Sequence, residues 1–134
     1  MTKKVLVVDD ELDIIQTIKV GLENEIDDFQ VIGLQSGKKC LDFLDRCTDY
    51  PDVILIDIIM PEMDGWQVLN RLKENNKLSN IPIVFLTAKT DDFTKTFGKT
   101  QTADFIEKPF DINDLKIRIK NVIRKANNDY LSIE

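Results

Sequence analysis

The chain has 134 residues, 43% hydrophobic and 31% charged, a balance typical of one soluble globular domain. Its formal net charge is −6 and we find no basic patch, which argues against direct binding to nucleic acid. The apolar runs are too short for a membrane span or a signal-peptide core, so we expect a cytoplasmic protein. Histidine is absent, which excludes catalysis by Ser-His-Asp or Cys-His groups.

Five apolar runs predict β-strands. Runs one, three and four are nearly continuous, which indicates strands buried on both faces at the centre of a sheet. Runs two and five carry more polar residues, so we expect them at the edges. The predicted bounds are Lys4–Val8, Phe29–Gln35, Asp52–Asp57, Ile81–Thr87 and Asp104–Glu107.

Apolar residues at helical spacing predict a helix after each strand. Ser36 and Asp111 have the residue types of N-caps for helices two and five. Helix four has the least regular pattern, because threonines are poor helix formers and the window 87–102 holds six, although Phe93 and Phe97 have the spacing of a helical contact. The predicted bounds of the other two helices are Leu12–Glu25, with Ile26 completing its apolar face, and Trp66–Asn76.

Two cysteines, Cys40 and Cys47, lie seven residues apart on the predicted second helix. That spacing puts them on one face about 10 Å apart, too far for an undistorted disulfide. We therefore expect reduced thiols.

The alternation of strand and helix, repeated five times, predicts an α/β fold with a parallel sheet and helices on both faces. The strand order 2-1-3-4-5 satisfies both the central and the edge assignments, which makes the fold doubly wound and flavodoxin-like. We assign residues 1–127 to one domain and 128–134 to a polar C-terminal tail that is expected to fray.

Chemically distinctive residues follow four of the strands. Because parallel strands end at one edge of the sheet, we expect five residues to meet there: Asp9, Asp10, Asp57, Thr87 and Lys108. Carboxylates brought so close must share a proton or be neutralised by a cation, and Mg²⁺ prefers such oxygen ligands. A metal and a lysine together suit a phosphoryl group, which Asp57 could accept as a nucleophile. Each residue alone also has a structural explanation, such as Asp9 capping helix one or Lys108 lying at the surface.

Four segments together closely resemble the receiver domain of bacterial response regulators: "VLVVDDE", "ILIDIIMPEMDGWQVL", "VFLTAK" and "DFIEKPF". The resemblance runs from Lys4 to about Lys125, and the four segments occur in the family's order. It implies a phosphorylation-dependent signalling switch, not an enzyme with a separate substrate. The implied phosphoryl donor is a sensor histidine kinase or a histidine phosphotransfer protein.

The resemblance also implies a role for each site residue. Asp57 corresponds to the phosphoacceptor. Asp10 corresponds to the direct Mg²⁺ ligand and Asp9 to a ligand acting through water, while Asp57 and the backbone carbonyl of Ile59 complete the protein ligands.

A second group is implied to respond to the phosphoryl group. Thr87 corresponds to the switch hydroxyl, Phe105 to the switch aromatic and Lys108 to the lysine that pairs with phosphate. The resemblance further implies a cis peptide at Lys108–Pro109. Gly65, which closes "PEMDG", fits a turn with positive φ.

The chain departs from the family pattern around helix four, where it is about one residue shorter and carries Phe93 and Phe97. Helix four, strand five and helix five form the family's output face. The resemblance leaves open whether the chain acts through this face on a downstream protein, on a missing output domain or as a homodimer. Ile59 occupies a position that influences dephosphorylation in the family.

Three other functions compete with the switch. A haloacid-dehalogenase-type phosphatase requires a second acid two residues after the nucleophile, where this chain has Ile59. A flavin carrier requires a hydroxyl-rich loop after strand one, where "DDELD" would repel the flavin phosphate. A receiver-like scaffold that is never phosphorylated is the third alternative.

Overall fold

The structure is a computed structural model that describes residues 2–24 and 26–132. Its five strands form one parallel sheet in the predicted order 2-1-3-4-5. The strands are β1 (Lys3–Val8), β2 (Phe29–Leu34), β3 (Val53–Ile56), β4 (Ile83–Thr87) and β5 (Asp104–Glu107). Every residue of β3 and β4 is buried, as expected for central strands.

Five helices alternate with the strands: α1 (Leu12–Leu22), α2 (Gly37–Arg46), α3 (Gly65–Glu74), α4 (Asp92–Gln101) and α5 (Ile112–Ser132). Successive side chains of a strand point to opposite faces, so β1 contributes side chains to a hydrophobic core on each face of the sheet. Val5 and Val7 pack with α1 and α5, while Leu6 and Val8 pack with α2 and α3. Helices therefore cover both faces of the sheet, as predicted.

Helix α4 forms despite its threonines because Asp91 caps it. The Asp91 carboxylate accepts hydrogen bonds from the Thr94 backbone N–H at 3.1 Å and from the Thr94 hydroxyl at 2.7 Å. Two further threonine hydroxyls, of Thr100 and Thr102, donate to backbone carbonyls of α4. The threonines thus satisfy their polar groups locally instead of disrupting the helix.

Two helix ends differ from the sequence prediction. Helix α1 ends at Leu22, and Ile26 lies beyond it with 91% of its surface exposed, so its placement on the apolar face was wrong. The Asn24 side chain accepts hydrogen bonds from the N–H groups of Ile26 and Asp27 and holds a turn that cannot continue the helix. At the C-terminus α5 continues to Ser132 where fraying was expected, and residues 133 and 134 lie outside the described part.

Cys40 and Cys47 are free thiols, as predicted. Within residues 2–24 and 26–132, none of the helices has the length and apolar character needed to cross a bilayer.

Candidate phosphoacceptor site

The carboxyl ends of β1 and β3 bring two aspartates together. Val8 and Ile56 are partners in the register of these strands, so the residues that follow, Asp9 and Asp57, lie side by side. The ladder continues one step further, because the Asp57 N–H donates to the Val8 carbonyl at 3.0 Å and the Asp9 N–H donates to the Leu34 carbonyl at 3.0 Å. Both carboxylates are thus fixed on rigid backbone at the sheet edge.

Four carboxylates converge at this edge. Asp9, Asp10, Glu11 and Asp57 each offer one oxygen within 4.8 Å of the others. Asp9 and Asp57 are buried, whereas Asp10 and Glu11 are exposed. Glu11 had no assigned role in the sequence prediction, and the only signal for it was its position next to Asp9 and Asp10.

One cation, Lys108, lies among these acids. Its Nζ is 2.7 Å from Asp9 Oδ2, 3.1 Å from Asp57 Oδ2 and 3.9 Å from Glu11 Oε1, and its side chain is 9% exposed. The Lys108 N–H donates to the Thr87 carbonyl at 2.9 Å, which ties the lysine to the end of β4. The Lys108–Pro109 peptide is cis, as predicted.

Burial and hydrogen bonding shift the pKa values of this cluster in opposite directions. It raises the pKa of Asp9, although hydrogen bonds from Lys108 and from the Glu11 N–H oppose the rise. Burial also lowers the pKa of Lys108, but the hydrogen bonds to Asp9 and Asp57 outweigh it and leave that pKa above its ordinary value. Lys108 is therefore a cation at neutral pH.

The cluster is short of positive charge. Four carboxyl groups face one ammonium here. Closely spaced carboxylate oxygens of this kind are the ligands that a hard divalent cation prefers. The residues present therefore fit Mg²⁺, with Asp9, Asp10 and Asp57 as the predicted side-chain donors.

The remaining predicted residues are neighbours of the cluster residues in the chain or in the sheet. Thr87 ends β4 and is fully buried, and its hydroxyl oxygen accepts a hydrogen bond from the Lys89 N–H at 3.2 Å. The Ile59 N–H donates to Asp57 Oδ1 at 3.2 Å, while 58% of the Ile59 surface is exposed. Phe105 is buried in β5, three residues before Lys108.

Gly65 is required here for a reason that the sequence prediction missed. No described glycine has positive φ, so the predicted positive-φ turn at Gly65 was wrong. A Cβ on Gly65 would instead lie 2.6 Å from the Asp57 carbonyl oxygen and 2.8 Å from the Ile58 Cα. The first turn of α3 rests directly on the backbone that carries Asp57, and only glycine permits this approach.

We expect Gly65→Ala to lower the free energy of unfolding by about 1–3 kcal/mol, because the added methyl group meets backbone that cannot move aside. Urea unfolding at neutral pH measures the effect. Gly37→Ala is a matched control: Gly37 also begins a helix, but the atoms nearest its added Cβ belong to the side chains of Val68 and Met63. A loss at Gly65 no larger than at Gly37 would contradict the close-approach explanation.

Comparison with known proteins supports one family. The family model described as the response regulator receiver domain matches residues 5–120. The alkaline phosphatase synthesis transcriptional regulatory protein PhoP of Bacillus subtilis is 34% identical over 127 residues, which are 94% of this chain and 50% of PhoP. The response regulator GtcR of Aneurinibacillus migulanus is 36% identical over 128 residues, with the same coverage of both chains. The chain thus spans about half the length of these relatives.

A solved structure shows the same fold. The receiver domain of the Francisella response regulator 1452 superposes with a TM-score of 0.80 at 32% sequence identity. The alignment covers 92% of this chain and 98% of that one.

Proposed function

The chain belongs to the family of response regulator receiver domains, and we propose that its Asp57 accepts a phosphoryl group from a partner kinase's phosphohistidine. The single observation that carries the proposal is the buried contact of Lys108 Nζ with both Asp9 and Asp57 inside a cluster of acids. A structural ion pair needs one acid for one lysine. A surplus of acids suits a site that holds a divalent cation, which together with Lys108 can bind an anionic group.

The proposed transfer uses the chain's own groups for attack and positioning. An oxygen of Asp57 attacks the phosphorus, the phosphorus–nitrogen bond to the donor imidazole breaks, and an acyl phosphate forms on Asp57. The Lys108 ammonium exchanges a carboxylate contact for a phosphoryl oxygen, and the Thr87 hydroxyl donates to another. Mg²⁺, held by Asp9, Asp10, Asp57 and the Ile59 backbone carbonyl, would neutralise charge on the phosphoryl oxygens.

We also propose the phosphoryl donor and the surface that responds to phosphorylation. The donor is a sensor histidine kinase or a histidine phosphotransfer protein in the cytoplasm. Thr87 and Phe105 move on phosphorylation and change the face formed by α4, β5 and α5, through which the chain acts on a downstream protein, on an output domain or on a second copy. Beyond its own phosphorylation and dephosphorylation, we propose no catalytic activity.

Incubation with acetyl phosphate, followed by intact-mass measurement, tests the proposal. We expect a gain of one phosphoryl group that requires Mg²⁺ and disappears with excess EDTA. Trp66 is the single tryptophan, so its fluorescence monitors metal binding in the same samples. Metal binding without any mass gain, from acetyl phosphate or from phosphorylated kinase, would contradict the switch and favour the scaffold.

Ile59 is expected to prolong the phosphorylated state. Its exposed apolar side chain cannot orient a water for attack on the phosphoryl group, whereas asparagine could donate or accept a hydrogen bond. We expect Ile59→Asn to lose phosphate about fivefold faster, the worth of one hydrogen bond. The decay of the phosphorylated mass after removal of acetyl phosphate measures the rate. Ile59→Val is the matched control, and equal decay in the asparagine and valine variants would end the idea.

A further inference from the structure

The sheet has two free edges, because the strand order gives β2 and β5 a neighbouring strand on one side only. A free edge presents N–H and C=O groups that can pair with a strand of another molecule. The edge at β2 carries the greater risk of such pairing, since its sequence, "FQVIGL", has six residues with no charge and no proline. Segments of this kind pair readily with copies of themselves when they are accessible.

Alternate residues of β2 direct their backbone groups away from β1. The Asp9 N–H donates to the Leu34 carbonyl at 3.0 Å, so Leu34 faces β1. In a parallel pair, every second residue of a strand bonds the same neighbour. The backbone groups of Phe29, Val31 and Gly33 therefore point outward, and Val31 lies at the middle of this edge.

Two side chains from the end of α1 bond the outward groups of Val31. Its N–H donates to Glu23 Oε2 at 2.7 Å, and its carbonyl accepts from Lys19 Nζ at 3.4 Å. Lys19 and Glu23 also pair with each other, with 2.9 Å between Lys19 Nζ and Glu23 Oε1. The carboxylate and the ammonium thus take the places of the acceptor and the donor that a sixth strand would supply.

Gly33 lets α1 lie close enough to β2 for this contact. A Cβ at Gly33 would overlap Ile15 Cγ2, so the helix rests directly on the strand. Lys19 and Glu23 follow Ile15 at successive turns on one side of α1. Val31 precedes Gly33 on β2, and because the crossover helix runs back along the strand, the ion pair reaches Val31.

The edge at β5 has the same arrangement. The Lys108 N–H donates to the Thr87 carbonyl at 2.9 Å, so Lys108 faces β4 and the backbone groups of Phe105 point outward. The Phe105 N–H donates to Asp104 Oδ1 at 2.8 Å, and its carbonyl accepts from Arg118 Nη2 at 3.4 Å. Arg118 pairs with Asp104 through two bonds of 2.9 Å. At each edge, a carboxylate and a cation bond both outward groups of one residue.

A general gain in stability does not explain this arrangement. Ion pairs at a protein surface contribute little, and the Lys19 side chain is 52% exposed. Lys38 and Asp42 form a pair with the same spacing on α2, 2.8 Å apart. Among residues 2–24 and 26–132, the side chains of that pair bond no strand. The two edge pairs differ from it by their bonds to strand backbone.

We propose that the Lys19–Glu23 and Asp104–Arg118 pairs close the two edges of the sheet against strand pairing with a second copy of this chain. A second copy is the partner to exclude, because it carries the same edge strand and two copies can meet through identical groups about a two-fold axis. With the N–H and C=O of Val31 occupied, the free groups of β2 no longer form a continuous row. The inference goes beyond the proposed function and does not depend on phosphorylation.

Glu23→Ala opens the edge at β2, because alanine cannot accept a bond from the Val31 N–H. We expect the unphosphorylated variant to associate more strongly than the wild type as protein concentration rises. Sedimentation velocity measures the association. Asp42→Ala is the matched control, since it also removes the acid of a helical ion pair but leaves β2 untouched, and it should sediment like the wild type.

Amide hydrogen exchange, resolved by residue with NMR, locates the contact. In dilute Glu23→Ala the Val31 amide should exchange about tenfold faster than in the wild type, since its bond to a charged acceptor is lost. At high concentration the amides of Phe29, Val31 and Gly33 should become protected, because a second strand bonds them. Looser packing of α1 is the rival explanation, and it predicts faster exchange at every concentration.

Glu23→Gln separates closure of the edge from the charge of the pair. Glutamine still offers an oxygen to the Val31 N–H but lacks the negative charge that Lys19 contacts. We expect it to sediment like the wild type, and association equal to that of Glu23→Ala would overturn closure by hydrogen bonding. A Glu23→Ala protein that sediments like the wild type and gains no protection at residues 29, 31 and 33 would overturn closure of this edge.

Asp104→Ala tests the edge at β5 in the same way. The variant loses the acceptor of the Phe105 N–H and the partner of Arg118. We expect the amides of Phe105 and Glu107 to gain more protection with rising concentration than they do in the wild type. Protection no greater than in the wild type would overturn closure of the edge at β5.

Discussion

Asp57→Asn is expected to abolish the Mg²⁺-dependent gain of one phosphoryl group from acetyl phosphate. The amide is nearly isosteric with the carboxylate, and its oxygen can still accept the Ile59 N–H that Asp57 accepts at 3.2 Å. It is not a nucleophile, so no acyl phosphate can form. Intact mass measures the gain, and Asp13→Asn, which removes an acid of α1 outside the cluster, should be phosphorylated like the wild type.

The loss of phosphorylation in Asp57→Asn should not come from a loss of the fold. The substitution removes one of four carboxylates that repel each other, while Lys108 keeps its 2.7 Å contact with Asp9. Urea unfolding in metal-free buffer should therefore show no decrease in stability. A hydroxylamine-sensitive phosphoryl gain that persists in a folded Asp57→Asn protein would assign the acceptor to another carboxylate and contradict the proposal.

The sheet could be predicted from the sequence because strands buried on both faces are continuous apolar runs. β3 and β4 are continuous apolar runs, and they are central and fully buried. The meeting of Asp9, Asp57 and Lys108 follows from the same fact, since the ends of parallel strands share an edge of the sheet.

The features that were missed depend on tertiary contacts. Gly65 is needed where α3 approaches the Asp57 carbonyl, and a glycine in a sequence does not reveal whether conformation or space requires it. Ile26 has the correct spacing for α1, but the Asn24 side chain ends the helix first. Glu11 joins the acid cluster through the direction of its side chain, which residue order alone does not specify.

Lys108→Met is expected to lower the free energy of unfolding by about 3 kcal/mol in metal-free buffer at neutral pH. The variant leaves Asp9 and Asp57 buried at the sheet edge without the ammonium that contacts both, and an uncompensated buried charge is costly. Methionine keeps the length and apolar stem of the lysine. The lost stability therefore results from the missing positive charge and not from a cavity. Urea unfolding with EDTA present measures it.

Lys95→Met provides the matched comparison. Lys95 also pairs with an acid, Glu107 at 2.6 Å, but both side chains are substantially exposed, and such pairs contribute about 0–1 kcal/mol. Excess Mg²⁺ should recover much of the stability lost in Lys108→Met, because a cation bound by the acids replaces the missing positive charge and binds only the folded chain. It should leave the small effect of Lys95→Met unchanged. Equal losses in the two variants, or a Lys108→Met deficit insensitive to Mg²⁺, would mean that the acids at this edge do not need a cation.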